Sequence, residues 1–331
     1  MRHFYETLNN KHKTIYSTLL SGLELQDNNI QVPNVSLGEL EMIFHSITMD
    51  NPHIFYVHVT QPFIYDASNS VIKPNYIYDR VTIKNYQSDI NSLMIFFDSV
   101  KLFTDIEKEL FLHDYCLNNF TYNWAENPDM ESYTIIGLLN KKTAVCQGIA
   151  LFVKLVFDYV GIQSLVVNGE VSDPVNNKTE KHAWNIVSIE GNFYHLDVTW
   201  DMTHKQKHNR YDYFNLCDRE IKRDHKVVHE FQKQIPCCIA ADKDYYSINN
   251  MVATSYIELE DCLLSQLKHD KNVVFVKIKN MITTTDSYRS LKDMLSKIVN
   301  GLLEKSIIYK GYNSSENQTQ FVFEISFCDT I

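Results

Sequence analysis

The chain of 331 residues has little glycine or proline and no long hydrophobic run. It contains 9 Gly and 7 Pro, too few for a collagen-like or low-complexity protein. No run reaches the roughly 18–20 apolar residues of a membrane-spanning helix, and residues 1–10 lack the apolar stretch of a signal peptide. We therefore expect a soluble, globular protein of the cytoplasm without a membrane span, with export by a leaderless route left open.

The chain also has fewer basic than acidic residues. The 31 Lys and Arg residues are outnumbered by 41 Asp and Glu, which gives a net charge of -10. Proteins that bind nucleic acid usually present a basic face, so we expect no nucleic-acid partner. An acidic surface favours a cationic partner, although it also serves solubility.

The cysteines show no pairing pattern. There are 7, an odd number, at irregular spacing, which argues against a disulfide scaffold and for free thiols in a reducing compartment. Cys146 differs from the others because a helical pattern begins beside it. Thr143 is a helix-start residue, apolar residues recur at helical spacing from Ile149 to Val160, and Gly161 supplies the stop. The N–H groups and the dipole at a helix start stabilise a thiolate.

Helix and strand patterns divide the chain into three expected regions. Helical patterns over residues 3–22, from a capping box at Ser36, and over about 88–103, with a strand-like segment at 54–60, predict an α/β N-terminal region over residues 1–103. Residues 104–220 contain the Cys146 helix followed by three strand signals, which predicts an α+β core with antiparallel pairing. The charged stretch 218–226 predicts a helix. Strand patterns at 272–279 and 320–327 around a helical pattern at 287–304 predict an α+β C-terminal region over residues 221–331.

Two alternating runs, residues 182–189 and 192–199, flank the dipeptide Glu190-Gly191. An acidic residue followed by Gly is typical of a two-residue hairpin turn. Such a turn would pair Ile189 with Asn192 and would continue the pairing along both runs. A three-residue turn would move the side chains of one strand to the opposite face.

The two-residue turn places His182 and Asp197 on one face of the hairpin. Asp197 would lie opposite Trp184, and side chains two residues apart along a strand share a face. His182 and Asp197 are then diagonal neighbours. Their Cβ atoms would be about 7 Å apart, which lets an imidazole reach a carboxylate.

Cys146, His182 and Asp197 supply the three groups of a thiol catalytic triad. Cys146 would be the nucleophile. His182 would take the thiol proton and later return one to the leaving group. Asp197 would hold the imidazole in its tautomer and stabilise its charged form. Each residue also has a plainer interpretation, since a buried cysteine is usually a small hydrophobe, a strand histidine usually packs, and an aspartate near a strand end usually caps.

A cysteine enzyme of this kind also needs donors for the oxyanion. The backbone N–H of Cys146 is one candidate, and a second would come from Tyr122, Trp124 or Gln147. Trp184 is a further candidate for the substrate-binding wall, although motif aromatics pack more often than they react.

Three motifs resemble the bacterial transglutaminase-like (papain-like) superfamily. They are Ala144-Val-Cys-Gln-Gly-Ile-Ala150, His182-Ala-Trp-Asn185 and Tyr194-His-Leu-Asp-Val-Thr-Trp-Asp201. The order Cys, His, Asp and the spacings resemble the core of that family over roughly residues 104–220. The resemblance implies a thiol enzyme that acts on an amide or ester through an acyl-enzyme. It also implies a nucleophile-bearing helix packed on an antiparallel sheet.

Related families fit less well. Papain has its histidine much further from its cysteine, and its Cys-Gly-Ser-Cys-Trp string is missing here. Arylamine acetyltransferases carry Arg-Gly-Gly before the cysteine, where this chain has Lys142-Thr-Ala-Val. The calcium-dependent transglutaminases of animals have an acidic loop that is not evident in this sequence.

The expected function is therefore that of a cysteine-dependent protease or amidase without cofactor or metal. Its substrate would be a protein or peptide, and the acidic surface favours a cationic one. Acyl transfer to an amine, or deamidation of glutamine, is the alternative for the same triad, because either water or an amine can resolve the acyl-enzyme. A non-catalytic binding protein on this scaffold is a second alternative.

Zinc binding is a rival from another class. The pairs His204 and His208, and His225 and His229, each have the i, i+4 spacing of one helix face, and Cys237-Cys238 follows. The pattern is weak because it contains no Cys-x2-Cys and lies in a charged segment.

Overall fold

In the computed structural model, the chain divides into two compact units. The structure describes residues 2–173, 178–228, 232–268, 272–304 and 309–328. The larger unit consists of Met1–Arg210 and Asp224–Ile239, and the smaller unit of Tyr211–Arg223 and Ala240–Ile331. Both units mix helices with strands, which confirms the predicted α+β class. The division into domains after residues 103 and 220 stays a prediction.

The N-terminal part of the larger unit combines helices with a small antiparallel sheet. The helices are α1 (His3–Thr7), α2 (Asn10–Glu24), α3 (Leu37–Asp50) and α4 (Arg80–Phe96). The strands are β1 (Ile30–Gln31), β2 (Phe63–Asp66) and β3 (Val71–Pro74), in the order β1-β3-β2. The predicted start of α3 is confirmed, because Ser36 and Glu39 cap it reciprocally.

Two N-terminal predictions differ from the structure. The helix expected over residues 88–103 begins at Arg80, because the Asp79 carboxylate accepts the Thr82 N–H at 2.7 Å and caps the helix there. The segment 54–60, expected as a strand, forms an isolated bridge from Val57 to Tyr76. Its apolar side chains are buried all the same, so an apolar run here indicates burial and not strand pairing.

The core of the larger unit is a four-stranded antiparallel sheet with one helix packed on it and further helices around it. Its helices are α5 (Asp105–Asn119), α6 (Ile135–Lys141), α7 (Cys146–Val160) and α8 (Val198–His204), with 3₁₀ turns at Ser99–Leu102 and Met130–Tyr133. The short strands β4 (Thr121–Tyr122) and β5 (Thr143–Ala144) pair in parallel. The sheet has the order β8-β7-β6-β9, from β6 (Ser164–Asp173), β7 (Lys178–Ile189), β8 (Asn192–Leu196) and β9 (His225–Val227). Helix α7 packs on β6 and β7, as predicted.

The hairpin between β7 and β8 has the predicted two-residue turn. Ile189 pairs with Asn192, and the register continues to Asn185 opposite Leu196. Glu190 and Gly191 have φ angles of 50° and 84°, the positive values that a type I′ turn requires at both central positions. The register prediction is therefore confirmed.

The end of this hairpin differs from the prediction. Strand β8 stops at Leu196 instead of reaching residue 199, and Asp197 is the N-cap of α8. The Asp197 carboxylate accepts the Trp200 N–H at 3.0 Å. The residue at an N-cap leads directly into the helix, so the chain leaves the strand at this point.

The smaller unit is a four-stranded sheet with helices packed against it. Its helices are α9 (Asp218–Ile221), α10 (Tyr245–Ile248), α11 (Tyr256–Leu267) and α12 (Thr285–Glu304). Its sheet has the order β10-β11-β13-β12, from β10 (Val252–Ala253), β11 (Val273–Ile278), β12 (Gly311–Asn317) and β13 (Val322–Cys328). The two faces meet in an apolar core that includes Leu263, Val276, Leu291 and Ile325. The predicted strand, helix and final strand of this region are all present.

The charged stretch 218–226 was expected as one helix and is not. Helix α9 ends at Ile221, and His225 lies on β9, where it pairs with Val171 of β6. None of the described helices combines the length and the apolar character that crossing a bilayer requires.

Candidate active site

Cys146 is the first residue of α7 and is partly exposed. The chain enters this helix from the β4–β5 pair, so Thr143 lies in β5 and does not cap the helix as expected. Val145 occupies the N-cap position and provides no side-chain cap. The start of α7 thus keeps its N–H groups directed at the surroundings of Cys146. All seven cysteines lie in the described residues and are free thiols.

His182 lies on β7 between Cys146 and Asp197. Its Nε2 is 2.6 Å from Asp197 Oδ2, and the Cys146 side chain lies near enough to the ring to raise its pKa. Because an ionised carboxylate can only accept, Nε2 carries the proton and the other ring nitrogen is available to the thiol. Burial opposes the charged ring, but the Asp197 carboxylate and then Cys146 outweigh it and raise the pKa of His182 to about 10.

Asp197 is fully buried and accepts three hydrogen bonds. Oδ1 accepts the Trp200 N–H, while Oδ2 accepts from His182 and, at 2.9 Å, from Nε2 of His225. Burial alone would raise the pKa of Asp197, yet the His182 and His225 rings hold it well below its usual value. The carboxylate therefore stays ionised, which is what a group that stabilises an imidazolium needs.

His225 is a site residue that the sequence did not reveal in this role. It is buried on β9, and its ring packs against Trp200 at 4.7 Å and Trp184 at 5.1 Å between centroids. Its second ring nitrogen, Nδ1, lies 2.5 Å from Asp224 Oδ1. The sequence signal for it is an Asp-His pair that follows a short helix, and such a pair carries no indication of the distant residue that it contacts.

Trp184 forms the wall behind His182. The two rings are stacked at 6.1 Å with an interplanar angle of 16°. Trp184 is buried, and its indole N–H donates to His195 Nδ1 at 3.0 Å. Gly169 of β6 makes room for the indole, because a Cβ there would come within 2.6 Å of it. These contacts favour a packing role for Trp184 over a role as oxyanion donor.

Tyr122 is a candidate oxyanion donor whose side chain lies close to Cys146. It pairs with Ala144 across the β4–β5 ladder, two residues before Cys146. Burial and then the neighbouring Cys146 raise the pKa of Tyr122, so its hydroxyl keeps its proton and can donate. Trp124 is 76% exposed and packs edge-on against Tyr122 at 4.6 Å. Gln147, the second residue of α7, is half-buried.

A second buried histidine–carboxylate pair holds α8 in place. His113 Nε2 of α5 lies 2.9 Å from Asp201 Oδ2 of α8. Burial opposes the charge, but Asp114 and Asp201 together raise the pKa of His113 to about 9. Because Asp197 caps the same helix, this pair helps to fix the position of the Asp197 carboxylate.

The predicted zinc pairs do not form helical sites. His204 ends α8 and its Nδ1 lies 2.7 Å from Trp200 O, while His208 lies beyond the helix. His225 is on a strand, and His229 lies outside the described residues. Donor atoms of His182, Asp197 and His225 lie within 4.8 Å of one another. However, both histidines direct Nε2–H at the same carboxylate oxygen, so no nitrogen lone pair of this cluster points at a shared ion.

The sequence of this part of the chain matches a known family. Residues 99–198 match the family model for the transglutaminase-like superfamily. These residues form a transglutaminase-like domain. The match contains Cys146, His182 and Asp197, and it confirms the resemblance drawn from the three motifs. The bacterial origin stays a prediction. Among curated proteins, none matches the chain.

Some solved structures are similar to part of this chain. A TGase is 17% identical, with a TM-score of 0.32, over 41% of this chain and 37% of the TGase. The periplasmic domain of TgpA from Pseudomonas aeruginosa, bound to ethylmercury, is 13% identical, with a TM-score of 0.28, over 44% of this chain and 69% of that domain. This chain therefore spans well under two thirds of the length of the TGase.

Proposed function

We propose that Cys146, His182 and Asp197 form the catalytic triad of a cysteine hydrolase that cleaves a peptide-type amide bond. The observation that carries the proposal is that the His182 ring, bonded to Asp197 Oδ2 at 2.6 Å, lies near enough to the Cys146 side chain for the thiol to raise its pKa. The three groups run from a partly exposed thiol to a buried carboxylate. A thiol that only filled space would not need an oriented imidazole beside it.

In the first step the thiol proton of Cys146 moves to His182, whose raised pKa keeps it on the ring, so the free enzyme holds a thiolate beside an imidazolium. The thiolate attacks the carbonyl carbon of the substrate, and the carbonyl oxygen becomes an oxyanion. His182 then gives its proton to the leaving nitrogen, the C–N bond breaks, and a thioester remains on Cys146. Water attacks the thioester while His182 takes a proton from it. The C–S bond breaks, the carboxylic acid leaves, and the thiolate of Cys146 is restored beside the protonated His182.

The oxyanion would be stabilised at the start of α7. The Cys146 N–H and the helix dipole provide positive potential there. The Tyr122 hydroxyl, which burial keeps protonated, is the second donor. Asp197 stabilises the charged His182 ring that forms in the first step, and its own charge is stabilised by three hydrogen bonds.

A cavity of about 1040 Å³ lies beside helix α7, and we propose that it holds part of a peptide substrate, although none of the triad residues lines it. It reaches Gln147, the residue after the nucleophile, and is lined mainly by apolar side chains of α3 and of residues 52–67. Of the residues that line it in the described part of the chain, none is Lys or Arg, and Glu41 is the one carboxylate. Burial lowers the pKa of His45 in its wall to about 4, so that ring is neutral. This lining favours apolar or cationic segments over acidic ones.

A peptide library incubated with the protein tests both reaction and substrate. The proposal predicts cleavage products enriched in apolar and basic residues near the cut and poor in Asp and Glu, with no product from the Cys146→Ala variant. The same incubation with a primary amine separates the two reactions. Amine adducts in place of free acids would favour acyl transfer, and products that persist in Cys146→Ala would contradict the proposal.

A further inference from the structure

His225 connects the Asp197 carboxylate to a second buried carboxylate. Nε2 of His225 lies 2.9 Å from Asp197 Oδ2, and Nδ1 lies 2.5 Å from Asp224 Oδ1. The side chains of His225, Asp224 and Asp197 are all inaccessible to solvent. Asp224 is held in turn through its backbone, because its carbonyl accepts the Ser172 N–H of β6 at 2.8 Å.

The hydrogen bonds determine where the protons of His225 lie. Asp197 is ionised, so the proton of its bond with His225 is on Nε2. Nδ1 lies within hydrogen-bond reach of Asp224 Oδ1. We take the ring to carry an N–H on each side, so that it bridges two carboxylates as a cation.

His225 shares one carboxylate oxygen with His182. The two rings lie on the same face of the sheet, on either side of β6, with centroids 5.6 Å apart at 69°. Two charged rings at this distance repel each other, and each reduces the attraction that Asp197 offers to the other. His225 therefore lowers the proton affinity that Asp197 alone would give to His182.

We propose that His225, held by Asp224, is a positioning residue that shares Asp197 with His182 and sets how readily the His182 ring gives up its proton. Among the contacts described above, the titratable groups that face His225 are Asp197 from the start of α8, Asp224 next to it in the chain and His182 from β7. Trp184 and Trp200 close the remaining sides, and Lys226 is exposed on the opposite face of β9. This role of His225 rests on the proposed role of His182 in the triad. Its test measures the protonation of His182 and does not require turnover of a substrate.

The test is the titration of His182, followed by NMR with histidine labelled at Cε1. All variants are made in a Cys146→Ala background. This change removes the effect of the thiol on His182 and so lowers the midpoint of the His182 titration. Replacing His225 by Phe keeps the aromatic packing and removes the positive charge. The midpoint of His182 is then expected to rise by about one pH unit, since loss of a neighbouring cation favours the charged ring.

Controls separate this effect from a structural one. His225→Gln removes the charge but keeps an amide donor for Asp197, so it should shift His182 in the same direction even if His225→Phe folds poorly. His45→Phe makes the same exchange at a histidine of α3 and should leave the midpoint of His182 in place. If His225 only supports the fold, its loss loosens Asp197 and the midpoint falls. A lower or unchanged midpoint in His225→Gln would overturn the proposal, whatever the outcome for Cys146.

Discussion

The Nε2 atom of His182 lies 2.6 Å from Oδ2 of Asp197, and both side chains are shielded from solvent. Asp197 does two things at once, because it accepts from this ring and caps the helix that follows. The hydrogen bond to the backbone of α8 therefore fixes the orientation of the Asp197 carboxylate. This coupling between a helix cap and an imidazole lets the two contributions be separated by mutation.

Asp197→Asn should reduce activity far more than stability. Asn retains an oxygen that can cap α8, but it removes the charge that favours the His182 imidazolium. We expect kcat/KM on a cleaved peptide to fall about 10³–10⁴-fold, with a small change in Tm. Asp197→Ala loses the cap as well and should lower Tm clearly. Equal activity in wild type and Asp197→Asn would contradict the role given to this carboxylate.

The pair of His113 and Asp201 should make stability depend on pH. The pKa of His113 is raised to about 9 in the folded protein, above the value of about 6.5 for an unfolded histidine. The native state therefore binds more protons in this window. The stabilisation is complete below about pH 6.5 and is lost as the pH rises through 9, by ~3 kcal/mol in all.

Urea unfolding at pH 6 and pH 9.5 checks this expectation. Other groups also titrate in the window, so the informative quantity is the difference between wild type and His113→Gln. The free energy of unfolding should fall less between the two pH values in His113→Gln than in wild type. Parallel pH profiles for the two proteins would show that His113 is not charged in the native state.

Tyr122→Phe should slow turnover without changing the nucleophile. The substitution removes only the hydroxyl that is proposed to donate to the oxyanion, and loss of one such donor costs about 10²-fold in kcat. The rate at which iodoacetamide alkylates Cys146 should remain that of wild type. Tyr76→Phe is the matched control, because its hydroxyl bonds to the Asp27 carbonyl in the N-terminal part. A kcat of wild-type size in Tyr122→Phe would exclude the hydroxyl as a donor.

The hairpin and its residues could be predicted because their determinants are local. Glu190-Gly191 sets the turn, the turn sets the register, and the register puts His182 where Asp197 can reach it. The strand prediction failed at Asp197 itself, where a helix cap competes with strand pairing. Sequence patterns favour both structures at that position, and the contact of Trp200 N–H with the carboxylate decides between them.

His225 could not be predicted because its strand depends on distant contacts. Strand β9 has three residues and no alternating pattern long enough to recognise. It forms by pairing with β6, which lies more than fifty residues earlier in the chain. The cavity was missed for a related reason, since residues 52–67 line it as largely irregular backbone that follows no period.

The central claim is that Cys146 is the activated thiol, and its alkylation tests this most directly. Burial raises the pKa of the Cys116, Cys217 and Cys262 thiols, which keeps them unreactive. The rate of iodoacetamide labelling should be measured against pH for wild type and Cys146→Ala, with the labelled cysteine identified by mass spectrometry. We predict rapid labelling of Cys146 below pH 7 in wild type and none in Cys146→Ala. If the six other cysteines account for all rapid labelling below pH 7, Cys146 is not the nucleophile.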